Sequence, residues 1–367
     1  MSVVLIVMTS FLPGTLFFFP NLYSPTPLSG AVVEVHRPTL SHSTWFSGSF
    51  QEEITRWFNQ ELPVRPLSIR LRNQFQFSLF HRSMTYVLVG RNDQYFAYNY
   101  FPAFRGFDLK EEAHWDKVSQ DLNWLNDTLE KRGVILLVVL APNKVRYMPE
   151  NLPDNLKKIP GDLTNQDLLV GHLKQLGVPF LNLNEWFVSM KDTIRHTPFP
   201  NTGIHWNAYG ALLGGDTLLA LMDQMIPDPI VQLQLGPGGI KDSIIGSDRD
   251  VGDDLNLLFP PKTKPQYYPR VTYDLEGRNK PNVLVVGDSF FWTINAVGVN
   301  KEAFSDRSSF WFYNNTNFDQ VHGEVPVDSL NAWNEVLDRD VIILISTESN
   351  LETFPFGFIE RLKGKDQ

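Results

Sequence analysis

Short apolar segments that alternate with stretches of helical periodicity are the feature that most constrains the fold of this chain. The longest, Val134 to Ala141, reads VILLVVLA and is an unbroken apolar run of strand length. Such runs are typical of strands buried on both faces of a parallel sheet. The predicted strands are 134–141, 178–183, 283–286, 309–313 and 341–346, and the predicted helices among them include 110–131, 163–176 and 207–225. This alternation predicts an α/β fold, a doubly wound parallel sheet whose ligand groups lie at the carboxyl ends of the strands.

The regions outside this core have their own patterns. Residues 23–44 are rich in Pro and Ser and are interpreted as a linker, and residues 45–367 as one domain. Helical periodicity predicts helices over 50–62 and 67–80, and a polar turn between two aliphatic and aromatic runs predicts a β-hairpin over 86–98. Residues 227–280 are rich in Pro, Gly and Asp and are interpreted as an inserted excursion.

The first residues carry the main indication of location. Val3 to Phe19 reads VVLIVMTSFLPGTLFFF, without a charge, and is long enough to cross or nearly cross a bilayer. We interpret residues 1–22 as a signal anchor, with a cleaved signal peptide or a buried core helix as alternatives. Either membrane interpretation predicts an extracytoplasmic protein, and the anchor makes the membrane a predicted partner.

Composition excludes several classes of function. The net charge is −9 and no run of Lys and Arg occurs, so nucleic acid is not an expected partner. The absence of cysteine excludes thiolate catalysis and Cys-ligated zinc. No cofactor or metal site is predicted, because the spacing of the acidic cluster does not match a calcium loop. That cluster, interpreted as a solvated loop rich in capping residues, comprises Asp248, Asp250, Asp253 and Asp254.

The candidate nucleophile is Ser289, in Gly287-Asp288-Ser289-Phe290 directly after an apolar strand. A glycine allows a sharp turn there, and backbone N–H groups at the start of the next helix can stabilise an oxyanion. The alternative is a helix-capping serine. A serine needs a base, and His205 is preferred among the histidines because it lies in a polar loop beside Trp206.

Further candidates follow the strand that ends at Ala141. Lys144 is predicted to lie on the same rim of the sheet as the nucleophile, where it could bind an anionic substrate or the oxyanion, with a solvated loop charge as its alternative. Asn143 could supply an amide to the oxyanion, with a turn residue as its alternative. Asp288 is a third such candidate, with a turn and capping role as its alternative. Arg146 is interpreted as a solvated loop charge.

The order of these motifs resembles that of a known family. Ala141-Pro142-Asn143-Lys144 is followed by His205-Trp206 and then by the Gly287 to Phe290 motif. Over residues 45–365 this resembles the SGNH hydrolase-like domain of the alginate O-acetyltransferases AlgX and AlgJ, in which the histidine motif also precedes the serine motif. The resemblance implies an extracytoplasmic enzyme that acetylates a polysaccharide, with a membrane-bound O-acyltransferase as the acetyl source. It also implies Ser289 as nucleophile and His205 as base.

One position departs from the pattern of that family. The family has an aspartate two residues before the histidine, where this chain has Gly203. Three explanations are open: a Ser–His dyad suffices, another carboxylate such as Glu348 orients the histidine, or activity is reduced. On this basis Gly203→Asp is predicted to raise activity.

The leading hypothesis is therefore O-acetyl transfer to an exopolysaccharide through an acyl-enzyme on Ser289. Two alternatives share most of the evidence. In a carbohydrate acetylesterase, water replaces the sugar hydroxyl. In a catalytically weakened polysaccharide-binding protein of the envelope, the site binds without reacting.

Overall fold

A mixed sheet of seven strands forms the centre of the fold. The computed structural model describes residues 15–16, 18–19, 26–30, 35–159 and 161–364. The chain divides into two compact units, Met1–Val87 with Val251–Pro261, and Leu88–Asp250 with Lys262–Gln367.

The described residues of the first unit include the helices α1 (His42–Ser47), α2 (Ser49–Glu61) and α3 (Arg65–Phe80), so the two helices predicted here are confirmed. A reciprocal capping box between Ser41 and Thr44 begins α1, and Gly48 in the left-handed conformation ends it.

The strands in the described part of the chain lie in three sheets. Their bounds are β1 Val87–Val89, β2 Tyr95–Ala97, β3 Ile135–Ala141, β4 Phe180–Asn182, β5 Gln232–Lys241, β6 Gln266–Asp274, β7 Val283–Gly287, β8 Ser309–Phe312, β9 Thr316–Asp319, β10 Gly323–Pro326 and β11 Val341–Thr347. β1 pairs with β2 as the predicted hairpin, and β5 pairs with β6 inside the predicted excursion.

The central sheet has the order β10-β9-β8-β7-β11-β3-β4. From β8 to β4 all neighbours are parallel, whereas β9 and β10 are antiparallel to the strands beside them. The five predicted core strands are confirmed and are parallel to one another, but the sheet is mixed, because the antiparallel strands β9 and β10 were not predicted. After β8 the chain turns back through Tyr313 and Asn314, both at positive φ (48° and 54°), and two left-handed residues in succession make a tight hairpin turn.

The other described helices follow α3 in the chain, and several of them cover the sheet. Their bounds are α4 Tyr100–Arg105, α5 Glu112–Glu130, α6 Lys144–Tyr147, α7 Asp154–Lys157, α8 Asn165–Leu176, α9 Leu183–Ser189, α10 Ala208–Met225, α11 Asp250–Asp254, α12 Phe291–Ala296, α13 Val299–Ala303, α14 Ala332–Leu337 and α15 Phe358–Gly364. The predicted helices over 110–131, 163–176 and 207–225 correspond to α5, α8 and α10.

The core lies on both faces of the central strands. In β3, Leu136, Val138 and Leu140 pack in one cluster with apolar residues of α5, α8 and α15. The alternate residues Leu137 and Val139 are fully buried as well. Burying each such side chain contributes about 1.5–3 kcal/mol, so burial on both faces explains why the strand is apolar throughout.

The predicted membrane anchor over residues 3–19 lies almost entirely outside the described residues. Among the helices that the structure describes, none is long and apolar enough to cross a bilayer. The anchor therefore stays a prediction.

Candidate active site

A glycine at the end of β7 brings the candidate nucleophile to the sheet edge. A Cβ on Gly287 would lie 2.2 Å from Cγ2 and 2.6 Å from the carbonyl oxygen of Ile345 in the neighbouring strand β11. No larger residue fits without moving β11, because a Cβ atom essentially never comes this close to a non-bonded heavy atom in real structures. Glycine is therefore needed here for the close approach of two strands.

Asp288 fastens the turn after β7 to the end of β11. Its Oδ1 accepts a hydrogen bond from the backbone N–H of Phe290 (3.1 Å). Its Oδ2 accepts from the backbone N–H and the hydroxyl of Thr347 (2.7 and 2.9 Å) and from Asn350 Nδ2 (3.0 Å). Asp288 is fully buried, and all of these bonds serve the protein itself. The geometry supports its role in the turn, and not the predicted role in binding substrate or an oxyanion.

Three side chains form a line at the same edge. Ser289 Oγ lies 2.9 Å from His205 Nε2, and His205 Nδ1 lies 2.9 Å from Asp250 Oδ2. With a carboxylate accepting at Nδ1, that nitrogen carries the proton and Nε2 is left to accept from the serine hydroxyl. This is the arrangement of a nucleophile, a base and an orienting acid.

Two aromatic residues hold the imidazole in this line. The ring of Phe290 lies 4.8 Å from that of His205, centroid to centroid. Trp206 is fully buried and donates from Nε1 to the carbonyl oxygen of Phe290 (3.0 Å). Asn207 then caps α10 by accepting from the backbone N–H of Gly210 (2.9 Å). His205 is therefore fixed between a buried neighbour and a capped helix.

Asp250 is the member of this line that the sequence interpretation missed. The sequence predicts a solvated loop here, but Asp250 Oδ1 accepts from the backbone N–H of Ile204 (3.1 Å) while Oδ2 faces His205. Its side chain is 29% exposed. Acidic clusters are usually solvated, and the pairing lies 45 residues apart in the chain, so no local pattern indicated it.

The lack of a side chain at Gly203 leaves room for the segment that carries Asp250. A Cβ at this position would lie 2.6 Å from the carbonyl oxygen of Ser247 and 3.0 Å from the carbonyl carbon of Asp248. The segment that leads to Asp250 therefore packs directly on Gly203. The two places for an orienting acid, residue 203 and residue 250, exclude one another sterically in this structure.

Glu348 is not the partner of His205, which corrects that explanation. Its fully buried side chain forms an ion pair with Arg146 and accepts from Asn143 Nδ2 (2.9 Å). Arg146 is correspondingly not a solvated charge, because it is only 21% exposed and held by this carboxylate. The amide of Asn143 also donates to the carbonyl oxygen of Tyr100 (3.3 Å). These bonds engage Asn143 within the rim and not with substrate.

Lys144 is buried, contrary to the prediction that it faces a substrate. Its Nζ lies within hydrogen-bond distance of four backbone carbonyl oxygens, and the residue is 2% exposed. Burial lowers the pKa of Lys144 to about 7, opposed by the charges of Asp250 and Asp248. Burial also raises the pKa of Asp248 to about 6, while a hydrogen bond from Ser243 favours its charged form.

Tyr313 is a second residue that no sequence pattern indicated. Its backbone N–H donates to the carbonyl oxygen of Gly287 (2.8 Å), which holds it at the turn after β8. Its hydroxyl accepts from Asn350 Nδ2 (3.3 Å) and interacts with Ser289. Burial and the nearby charge of Asp288 raise the pKa of Tyr313, so the phenol keeps its proton and remains a donor.

No metal-binding cluster of three or more His, Asp or Glu residues occurs in the part of the chain that the structure describes.

Comparisons with known proteins identify relatives of this chain. The family model "SGNH hydrolase-like domain, acetyltransferase AlgX" matches residues 104–296. The chain is 24% identical over 190 residues to a protein named probable alginate O-acetylase AlgJ from Pseudomonas syringae pv. tomato. It is 26% identical over 166 residues to its namesake from Pseudomonas aeruginosa. These matches cover 52% and 45% of this chain, and 46% and 40% of the relatives, so less than half of each relative is spanned.

Among solved structures, the O-acetyltransferase domain of Pseudomonas putida AlgJ matches 77% of this chain and 99% of its own, with a TM-score of 0.47 and 19% identity. The family model covers more than half of the chain, from α4 to the end of α12. The protein therefore belongs to the AlgX-type family of SGNH hydrolase-like acetyltransferase domains.

Proposed function

We propose that this protein transfers acetyl groups to hydroxyls of an exopolysaccharide through an acyl-enzyme on Ser289. The observation that carries the proposal is the line Asp250–His205–Ser289, with 2.9 Å at each contact. The names of the AlgJ relatives support alginate or a similar polymer as the acceptor.

The first half-reaction forms the acyl-enzyme. His205 Nε2 takes the proton of the Ser289 hydroxyl while Oγ attacks the acetyl carbonyl carbon of the donor. The imidazolium is stabilised by the carboxylate of Asp250 at Nδ1. The Tyr313 hydroxyl donates to the oxyanion that forms on the carbonyl oxygen. The intermediate collapses, and the leaving group departs with the proton from His205.

The second half-reaction transfers the acetyl group. A sugar hydroxyl attacks the acetyl carbon of acetyl-Ser289, and His205 takes its proton. Oγ then leaves and regains that proton, which restores the free enzyme and yields the sugar acetate. In an acetylesterase water takes the place of the sugar, so the two functions differ only in the acceptor.

The setting of this reaction is part of the proposal. The charge-free run at residues 3–19 supports an extracytoplasmic protein anchored in the membrane. A membrane-bound O-acyltransferase is the proposed acetyl source, by resemblance to the family. The polysaccharide acceptor is the second partner.

The test supplies p-nitrophenyl acetate with and without acetyl-free oligosaccharide. A transferase forms acetylated oligosaccharide in preference to free acetate, as measured by mass spectrometry. An esterase releases acetate at the same rate in both mixtures. Ser289→Ala should abolish either activity, and a Ser289→Ala protein as active as the parent would refute the acyl-enzyme. A folded parent that binds oligosaccharide and never reacts with the ester would favour the binding-protein alternative.

A further inference from the structure

Lys144 contacts the loop that leads into His205, the candidate general base. Its Nζ is 2.6 Å from the carbonyl oxygen of Pro200 and 3.0 Å from those of Asn201 and Gly203. A fourth carbonyl oxygen, of Tyr95, is 2.8 Å away. Three of its four partners therefore belong to the residues that run directly into His205.

All of these partners accept hydrogen bonds and none donates. An ammonium has three N–H donors and no acceptor, which suits such a cage, with one donor shared between two oxygens. A neutral amine has one donor fewer and would turn a lone pair towards a carbonyl oxygen. The hydrogen-bond geometry of the cage thus matches the charged form of Lys144, although lysine is among the residues least often buried.

Burial is the larger effect and lowers the pKa of Lys144, whereas the surrounding negative charges favour its ammonium form. Asp248 and Asp250 are the titratable groups whose charges act on Lys144, and both lie on the segment that packs on Gly203. The charge of His205 in turn lowers the pKa of Asp248, against the larger effect of burial. The ring of Phe96 lies 5.2 Å from Nζ and closes the cage on an apolar side.

We propose that Lys144 is a positioning residue, whose ammonium holds the loop 200–203 and thereby aligns His205 with Ser289. It touches neither substrate nor the reacting atoms, so it acts through the geometry of the loop. The inference rests on the proposed function, because alignment matters only if His205 serves as the base.

The test compares two lysine variants. Lys144→Met keeps the length of the side chain and removes the charge. Lys191→Met is the matched control, because Lys191 also bonds a carbonyl oxygen (that of Tyr147, 2.7 Å) and also lies 5.2 Å from an aromatic ring, but is 36% exposed. We expect Lys144→Met to lower kcat about 10- to 100-fold with KM changed less than about twofold, the size typical of a small misalignment. Lys191→Met should leave both constants within about twofold.

A pH profile separates positioning from mere stability. The pKa of Lys144 is about 7 in the fold and about 10.4 in an unfolded chain. Between these values the folded state binds fewer protons, so this group makes stability rise with pH. Activity should instead fall as the pH rises through about 7, because the cage then loses its ammonium. Lys144→Met should lack this alkaline decline.

Hydrogen exchange gives a reading that needs neither activity nor a variant. In the parent protein, amide protection over residues 198–206 should fall between pH 6.5 and pH 9 after correction for intrinsic exchange. This arm decides the matter if Lys144→Met does not fold. Unchanged protection in the parent, or a folded Lys144→Met protein with parental kcat, would overturn the proposal. If only the proposed function were wrong, the Ser289→Ala protein would remain active, while the parent protein would still show the fall in amide protection of this loop with pH.

Discussion

Gly203 offers the sharpest test of how the orienting acid is supplied. From sequence, Gly203→Asp is predicted to raise activity by restoring a carboxylate two residues before His205. The structure reverses that expectation. Any Cβ at this position would lie 2.6 Å from the carbonyl oxygen of Ser247, against 3.4–4 Å for ordinary contact. The segment that ends at Asp250 must therefore move by about 0.8 Å, the difference between 3.4 and 2.6 Å.

The size of the effect follows from this displacement. A misplacement near 1 Å can cost about 100-fold in rate, which corresponds to about 2.7 kcal/mol in the activation barrier. Loss of the orienting acid sets the upper bound, about 10⁴-fold in a serine protease. We therefore expect Gly203→Ala to lower kcat about 10- to 100-fold, and Gly203→Asp to lower it at least as much. Overpacking should also cost about 1–3 kcal/mol of stability.

The assay is single-turnover acylation by p-nitrophenyl acetate, with thermal unfolding measured in parallel. Gly246→Ala is the matched control, because a Cβ there meets no atom within 4 Å and its φ is not positive. It should retain parental rates. A Gly203→Asp protein faster than the parent would refute the steric argument. So would recovery of activity when Gly203→Asp is added to an inactive Asp250→Ala protein.

Three further outcomes follow from the site. Tyr313→Phe should lower kcat about 100- to 1,000-fold, as for loss of one oxyanion donor, and a change below threefold in steady-state assays would remove Tyr313 from the mechanism. Asp288→Ala should destabilise the protein by several kcal/mol in chemical denaturation, because each buried donor left unpaired costs about 1–3 kcal/mol; parental stability would contradict this. Arg146→Met should cost about 3–5 kcal/mol, since it leaves Glu348 buried and uncompensated, and the doubly substituted Arg146→Met/Glu348→Gln protein should recover part of that loss.

Much of the architecture is predictable from local pattern. The run Val134 to Ala141 is apolar at every position, and only a strand covered on both faces needs that. Gly287 and Ser289 follow another such run, which predicts a turn at the carboxyl edge of the sheet. The antiparallel pairing of β8 with β9 was not predicted, because it depends on a backbone turn at Tyr313, a residue type that rarely adopts positive φ.

The sequence by itself determined the five parallel strands of the sheet, the place of Ser289 and the preference for His205, because periodicity and strand ends are local properties of the chain. Tertiary structure alone decided which carboxylate faces the imidazole. Asp250 reaches His205 only because the chain folds back over Gly203. Glu348 does not pair with His205, because its carboxylate forms an ion pair with Arg146. The strength of an electrostatic interaction depends on distance in space, which local sequence patterns do not reveal. The costly burial of Lys144 is tolerated only because four backbone carbonyl oxygens, distant from it in the chain, converge on its Nζ.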